Sequence, residues 1–159
     1  MAPDKDVLLP GHDEDTSKGK YLIFSMGSEF YGIEIRFITE ILGMQPLTAV
    51  PEMPGYIKGI TNLRGKIIPV MDARMRFGKE LREYDDRTCI IVIDSNETTT
   101  GLIVDRVLEV VSLADADIEP PLDIGGSGSR FIKGFGKSGG NVKLLIDCTR
   151  LLADESPVI

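Results

Sequence analysis

Few side chains in this chain are equipped for covalent or metal chemistry. Its single histidine, His12, lies in a polar N-terminal stretch with Pro3, Pro10 and Gly11. Residues 1–19 are therefore expected to form a flexible tail. A histidine general base or a Ser-His-Asp arrangement is not expected there. Cys89 and Cys148 are the only cysteines. Cys89 opens an apolar run and is expected as a small buried side chain rather than a disulfide or ligand. No Cys or His pair has metal-ligand spacing, and Asp85-Asp86 reads as part of a solvated linker. Gly136-Lys137-Ser138 resembles the end of a phosphate-binding loop. That motif needs a glycine where Phe131 stands, and Gly139-Gly140 follow where a helix should begin. No cofactor, no metal and no enzymatic activity are expected.

Two other charged residues stand out, Glu40 and Arg64. Spacing places Glu40 on an amphipathic helix, because Ile35, Ile38, Ile41 and Leu42 fall on one helical face ending at Gly43. Arg64 precedes Gly65 at a tight turn. On spacing alone Glu40 is a surface partner of Arg36, and Arg64 is a solvated turn residue. Lys58 and Lys133 recur at matching positions and read as exposed.

The elements that hold these residues occur twice. Leu22-Ile23-Phe24 recurs as Ile91-Val92-Ile93, Gly32-Ile33-Glu34-Ile35 as Gly101-Leu102-Ile103-Val104, and Ile38, Glu40 and Ile41 as Val107, Glu109 and Val110. Farther on, Tyr56-Ile57-Lys58-Gly59 recurs as Phe131-Ile132-Lys133-Gly134, and Val70-Met71-Asp72 as Leu145-Ile146-Asp147. Two copies are too few for a solenoid, which needs about three. A paired structure with a seam between related halves is expected, and such a seam is a common binding place.

Within each half the pattern predicts short strands. Gly27-Ser28, Arg64-Gly65 and Ser138-Gly139-Gly140 mark hairpins. Pro69 marks an edge or a bulge, since it cannot donate to a ladder. Asp72 and Asp147 are expected to cap short helices. Val104, Val107, Leu108 and Val111 suggest a second helical stripe, with a strand as the alternative. Glu119-Pro120-Pro121 and Gly125 to Gly128 read as loop. Short strands with frequent Gly and Pro favour small antiparallel barrels over a parallel sheet.

Composition narrows the class further. The chain has 159 residues, 42% hydrophobic and 27% charged, which suits one globular domain or two small halves. A net charge of −7 and the absence of tryptophan argue against nucleic acid and anionic membrane surfaces. No apolar run reaches the roughly 20 residues of a spanning helix. The first twenty residues lack a signal-peptide pattern, and a cytoplasmic location is expected.

The segments Phe30-Tyr31-Gly32-Ile33, Ile38-Thr39-Glu40-Ile41, Tyr56 to Gly65 and Ile68-Pro69-Val70-Met71-Asp72 resemble the bacterial chemotaxis coupling family, CheW. The likeness continues through Gly101–Leu113, Phe131–Gly136 and Leu144–Asp147. It implies an all-β fold with short helices, two five-stranded SH3-like barrels side by side. The implied domain spans 20–152, with approximate halves 20–87 and 88–152 and a short tail over 153–159. The resemblance also implies a non-enzymatic adaptor. Its partners would be the tip of a chemoreceptor and the regulatory domain of the histidine kinase CheA. By position in the family pattern, Glu40 and Arg64 become a charged pair near an apolar groove lined by Ile35, Ile38 and Val107. Cys89 and the segment at Val110 also match family positions near contacts. The alternatives are a scaffold in another kinase-linked pathway, such as twitching motility or development, or a small-molecule binder using the seam. With Ile159 as the last residue, a fused receiver domain is not expected.

Overall fold

The structure, a computed structural model, describes residues 18–121 and 128–153. Most of the N-terminal tail, most of the glycine-rich loop and the C-terminal residues after Ala153 lie outside that range, as does His12.

The first repeat folds as β1 (Lys20–Met26), β2 (Glu29–Glu34), a 3-10 turn (Ile35–Phe37), β3 (Ile38–Gly43), β4 (Ile57–Leu63), β5 (Lys66–Asp72) and α1 (Ala73–Arg76). The second folds as β6 (Cys89–Ser95), β7 (Thr98–Val104), β8 (Arg106–Ser112), β9 (Ile118–Glu119), β10 (Ile132–Ser138), β11 (Asn141–Ile146) and α2 (Cys148–Ala153). The fold is mostly β, with few short helices. β9 falls in the stretch expected to be loop, and α2 runs into the expected tail.

The strands form two sheets, β8-β1-β2-β11-β10-β9 and β3-β6-β7-β5-β4. Under the repeat, β1 to β5 correspond to β6, β7, β8, β10 and β11. Apart from β9, the two strand orders are then the same order. Each sheet joins the first two strands of one repeat to the last three of the other. The repeat in sequence at 20–87 and 88–152 is therefore crossed by the sheets. Each sheet also contains one parallel pair, β2 with β11 and β5 with β7, among antiparallel neighbours. Antiparallel pairing otherwise prevails, as the pattern predicts.

Glu34 to Gly43 is not a helix. β3 pairs with β6, and the register shifts between Ile38 and Glu40 so that Thr39 is the extra residue of a bulge. That residue lets Ile38 and Ile41, three apart, face the same way. The neighbouring Leu42 packs on the opposite side. β8 repeats the device, since Ile23 pairs with Glu109 and Phe24 with Val107, leaving Leu108 over. A bulged strand thus imitates helical spacing twice. Of the alternatives for Val104 to Val111, the strand is correct.

Pro69 lies in β5, an interior strand, which corrects the edge expectation. Its partner β7 pairs only from Val70 onward, so the missing N–H falls just outside that ladder. Asp72 caps α1 by accepting from the Arg74 and Met75 N–H groups, and Asp147 accepts from the Arg150 N–H in the first turn of α2.

Three apolar clusters follow from the alternation of β1 and β6. Leu22, Phe24, Ile91 and Ile93 face the seam between the sheets, with Tyr31, Phe131 and Leu151. Ile90 and Val92 face a second cluster with Ile68 and Val70, whereas Tyr21 and Ile23 face a third with Leu145. β1 and β6 have apolar surroundings on both faces, which is why they read as near-continuous apolar runs. Gly59 and Gly134, which correspond under the repeat, each sit at a register shift. A Cβ there would stand 2.6 Å from the Thr48 carbonyl oxygen and 2.9 Å from that of Glu119. Crossing chain at close range requires glycine at both.

Candidate functional site

β3 and β4 lie at opposite ends of the five-stranded sheet, yet the sheet curls until they nearly meet. Thr48, just after β3, exchanges two backbone hydrogen bonds of 2.9 Å with Ile60 of β4. Farther along the same opening, Arg64 reaches Glu40. The guanidinium donates to both carboxylate oxygens, Nη1 to Oε2 and Nη2 to Oε1, the latter at 2.9 Å. The geometry is bidentate, the directional form of an arginine–carboxylate pair. These hydrogen bonds raise the Arg64 pKa above its ordinary value.

The pair is asymmetric in exposure. The Arg64 side chain is 74% exposed and that of Glu40 19%. Glu40 is held from below on β3, while Arg64 stands at the tip of the β4–β5 hairpin. Leu63 pairs with Lys66, so Arg64 and Gly65 are the whole loop, with φ of 55° and 87°. Positive φ at both positions twists the loop to suit the strands and favours Asn or Gly, which makes arginine a locally unfavourable choice. The Asn62 side chain accepts the Gly65 N–H at 2.8 Å and steadies the turn. A residue placed against local preference points to use at that position.

The other repeat supplies a contrast. Glu109 corresponds to Glu40, but Gly139 corresponds to Arg64, and its hairpin tip has no side chain to reach across. The bidentate pair therefore belongs to one of two otherwise similar openings. That departure from the repeat was legible in the sequence, where Arg64 aligns with a glycine.

The expected apolar lining divides. Ile38 belongs to the seam cluster and Val107 packs against it at the margin, with Val110 beside it. Ile35 is 4% exposed and Ile38 3%, so both are buried beneath the surface rather than presented by it. Glu40 shares its strand face with Leu42, which packs on the cluster inside the five-stranded sheet. Glu40 and Ile38 thus lie on different faces of β3. Cys89 is buried, and burial raises its thiol pKa; burial also pushes Cys148 up to about 12. Both thiols are chemically quiet in this setting.

A second charged cluster was missed in sequence. Arg74 of α1 donates to Asp105 at 2.9 and 2.7 Å, and Asp105 also accepts from the Gly27 N–H at 2.8 Å and from Arg82 at 3.1 Å. It ties the β1–β2 turn, α1 and the inter-repeat linker to the corner between β7 and β8. No local pattern joins residues so far apart in the chain. Burial works to raise the Asp105 pKa, but the bonds from Arg74 and Gly27 and the nearby Arg82 hold it below the ordinary carboxylate value. This contribution to stability is complete above the unfolded pKa of about 4 and is lost as pH falls through the lower folded value. Urea unfolding of the native chain and of Asp105→Asn should accordingly converge on acidification below about pH 4. A stability difference independent of pH would contradict the role given to Asp105.

Lys133 is half-buried, correcting its expected exposure. It pairs with Glu34 at 2.5 Å above the Tyr21 ring. Gly136 and Lys137 lie within β10, where Lys137 pairs with Glu119 at 2.7 Å. Among the described residues no group of three or more His, Cys, Asp or Glu is placed to hold a metal ion. No helix among them is long and apolar enough to cross a membrane.

Comparison with known proteins places these features in context. The CheW-like domain family matches residues 20–156. The chemotaxis protein CheW of Klebsiella aerogenes is 35% identical over 142 residues, covering 89% of this chain and 86% of that one. CheW of Rhizobium meliloti is 32% identical over 142 residues, covering 88% and 92%. The crystal structure of the scaffolding protein TtCheW from Thermoanaerobacter tengcongensis superposes with a TM-score of 0.81 at 35% identity, covering 87% of this chain and 97% of that one.

Proposed function

This chain belongs to the CheW-like family of chemotaxis scaffold proteins, and from that premise we propose that it couples the cytoplasmic tip of a chemoreceptor to the histidine kinase CheA. On this reading it works in the cytoplasm, at membrane-associated receptor arrays, and contributes contact surfaces but no catalysis. The observation that carries the reading is the Glu40–Arg64 pair. It is a fixed charge pattern at one opening of the fold, and it is missing from the corresponding opening. A charge held in place and facing solvent steers and orients a partner more than it stabilises its own fold.

A co-sedimentation experiment tests the proposal with the full chain, a receptor cytoplasmic fragment assembled on vesicles, and CheA. The kinase is expected in the pellet only when receptor and this chain are both present. Kinase sedimentation unchanged by omitting the chain would contradict the adaptor role.

A further inference from the structure

Against two rings of the seam cluster lies a buried arginine that the repeat does not call for. Arg76 of α1 is 5% exposed. Its guanidinium carbon stands 4.1 Å from the centroid of the Tyr56 ring and 4.5 Å from that of Phe131. Tyr56 and Phe131 correspond under the repeat. Tyr56 leads into the five-stranded sheet and Phe131 into the six-stranded one. Each is tethered alike, its carbonyl accepting the Asp72 or Asp147 N–H at 2.7 Å. The residue corresponding to Arg76 is Leu151, itself buried in the same cluster.

A buried leucine therefore meets the packing needs of this position in the other repeat. Burying a guanidinium carries a desolvation cost that a leucine does not, so packing alone does not account for arginine here. What arginine adds is direction. A cation is attracted to a ring only from above its face, whereas a leucine packs equally well over a range of angles. We propose that Arg76 is a positioning residue, whose contacts with Tyr56 and Phe131 set the angle between the two sheets. That angle fixes how the seam margin at Val107 and Val110 is presented. The consequence for binding rests on the adaptor reading; the consequence for geometry does not.

The test uses the full chain, with Arg76→Leu installing the residue of the other repeat and Arg76→Lys keeping the charge. Residual dipolar couplings from backbone amides report the angle between the sheets. Thermal unfolding and titration with a receptor cytoplasmic fragment report stability and binding. Arg76→Leu is expected to melt within a few degrees of the native chain, to give couplings that no longer fit the native angle, and to bind about fivefold or more weakly. Arg76→Lys should recover most of both the angle and the affinity. Couplings in Arg76→Leu that fit the native angle would overturn the proposal. So would a large fall in melting temperature, which would make Arg76 structural, or a changed angle with unchanged affinity. If the native chain does not bind the receptor fragment, the adaptor reading fails, while the couplings still decide the role of Arg76 in setting the angle.

Discussion

Phe131→Ala is expected to lower the unfolding free energy by about 3–5 kcal/mol, the cost of a large-to-small change in a packed core. The ring has no solvent exposure. It meets Phe77 edge-on at 5.9 Å, and Phe77 continues through Tyr31 at 5.4 Å to Phe24 at a further 5.6 Å. This aromatic series runs through the seam, with Phe24 and Tyr31 on the six-stranded sheet, Phe131 at the entry to β10 and Phe77 just after α1. Truncation leaves a cavity that rigid strands on either side are poorly able to close, and it removes one ring from Arg76. Val142→Ala provides the control, because that side chain is 57% exposed. It should change stability by no more than about 0.5 kcal/mol. Urea denaturation of both variants makes the comparison. A loss below about 1 kcal/mol for Phe131→Ala would show that the seam relaxes freely and that the two sheets are only loosely joined.

Arg64→Glu should have its large effect elsewhere. The side chain projects from a hairpin tip, and its pair with Glu40 is open to solvent on the arginine side. Surface pairs contribute little to folding, so the melting temperature should move by a few degrees at most. The replacement must adopt the same positive φ, leaving the turn's backbone cost similar. Binding of a receptor cytoplasmic fragment should nevertheless weaken by at least about tenfold. Two carboxylates would then face the partner where a bidentate pair had stood, and like charge is penalised more strongly at a desolvated contact.

Much of this molecule can be read from its residues, for identifiable reasons. The hairpins at Gly27, Gly65 and Gly140 and the caps at Asp72 and Asp147 are local chemistry, set by φ and by short-range hydrogen bonds. The duplication was visible because corresponding positions meet corresponding surroundings, as Gly59 and Gly134 do. β3 resembles a helix in sequence because the bulge at Thr39 converts alternate spacing into a three-residue step. The exchange of strands between repeats was hidden, since nothing local tells β3 to pair with β6 rather than with β2. The Asp105 cluster is hidden in the same way, its members lying on four separate segments. Spacing marks Glu40 and Arg64 only one by one, and the family resemblance alone pairs them, because their meeting depends on the curl that brings the two ends of one sheet together. Ile35 and Ile38 were correctly read as apolar, while their depth came only from the packing above them.

The most direct test of the account is a charge exchange at the Glu40–Arg64 pair. Glu40→Arg combined with Arg64→Glu keeps opposite charges in contact and reverses their order. Measured by calorimetric titration with the receptor fragment, alongside thermal unfolding, the exchanged chain is expected to melt like the native protein and still to bind at least about tenfold more weakly. That result would mean that the partner reads the orientation of the pair. Native affinity in the exchanged chain would contradict the account, because the pair would then serve only its own fold.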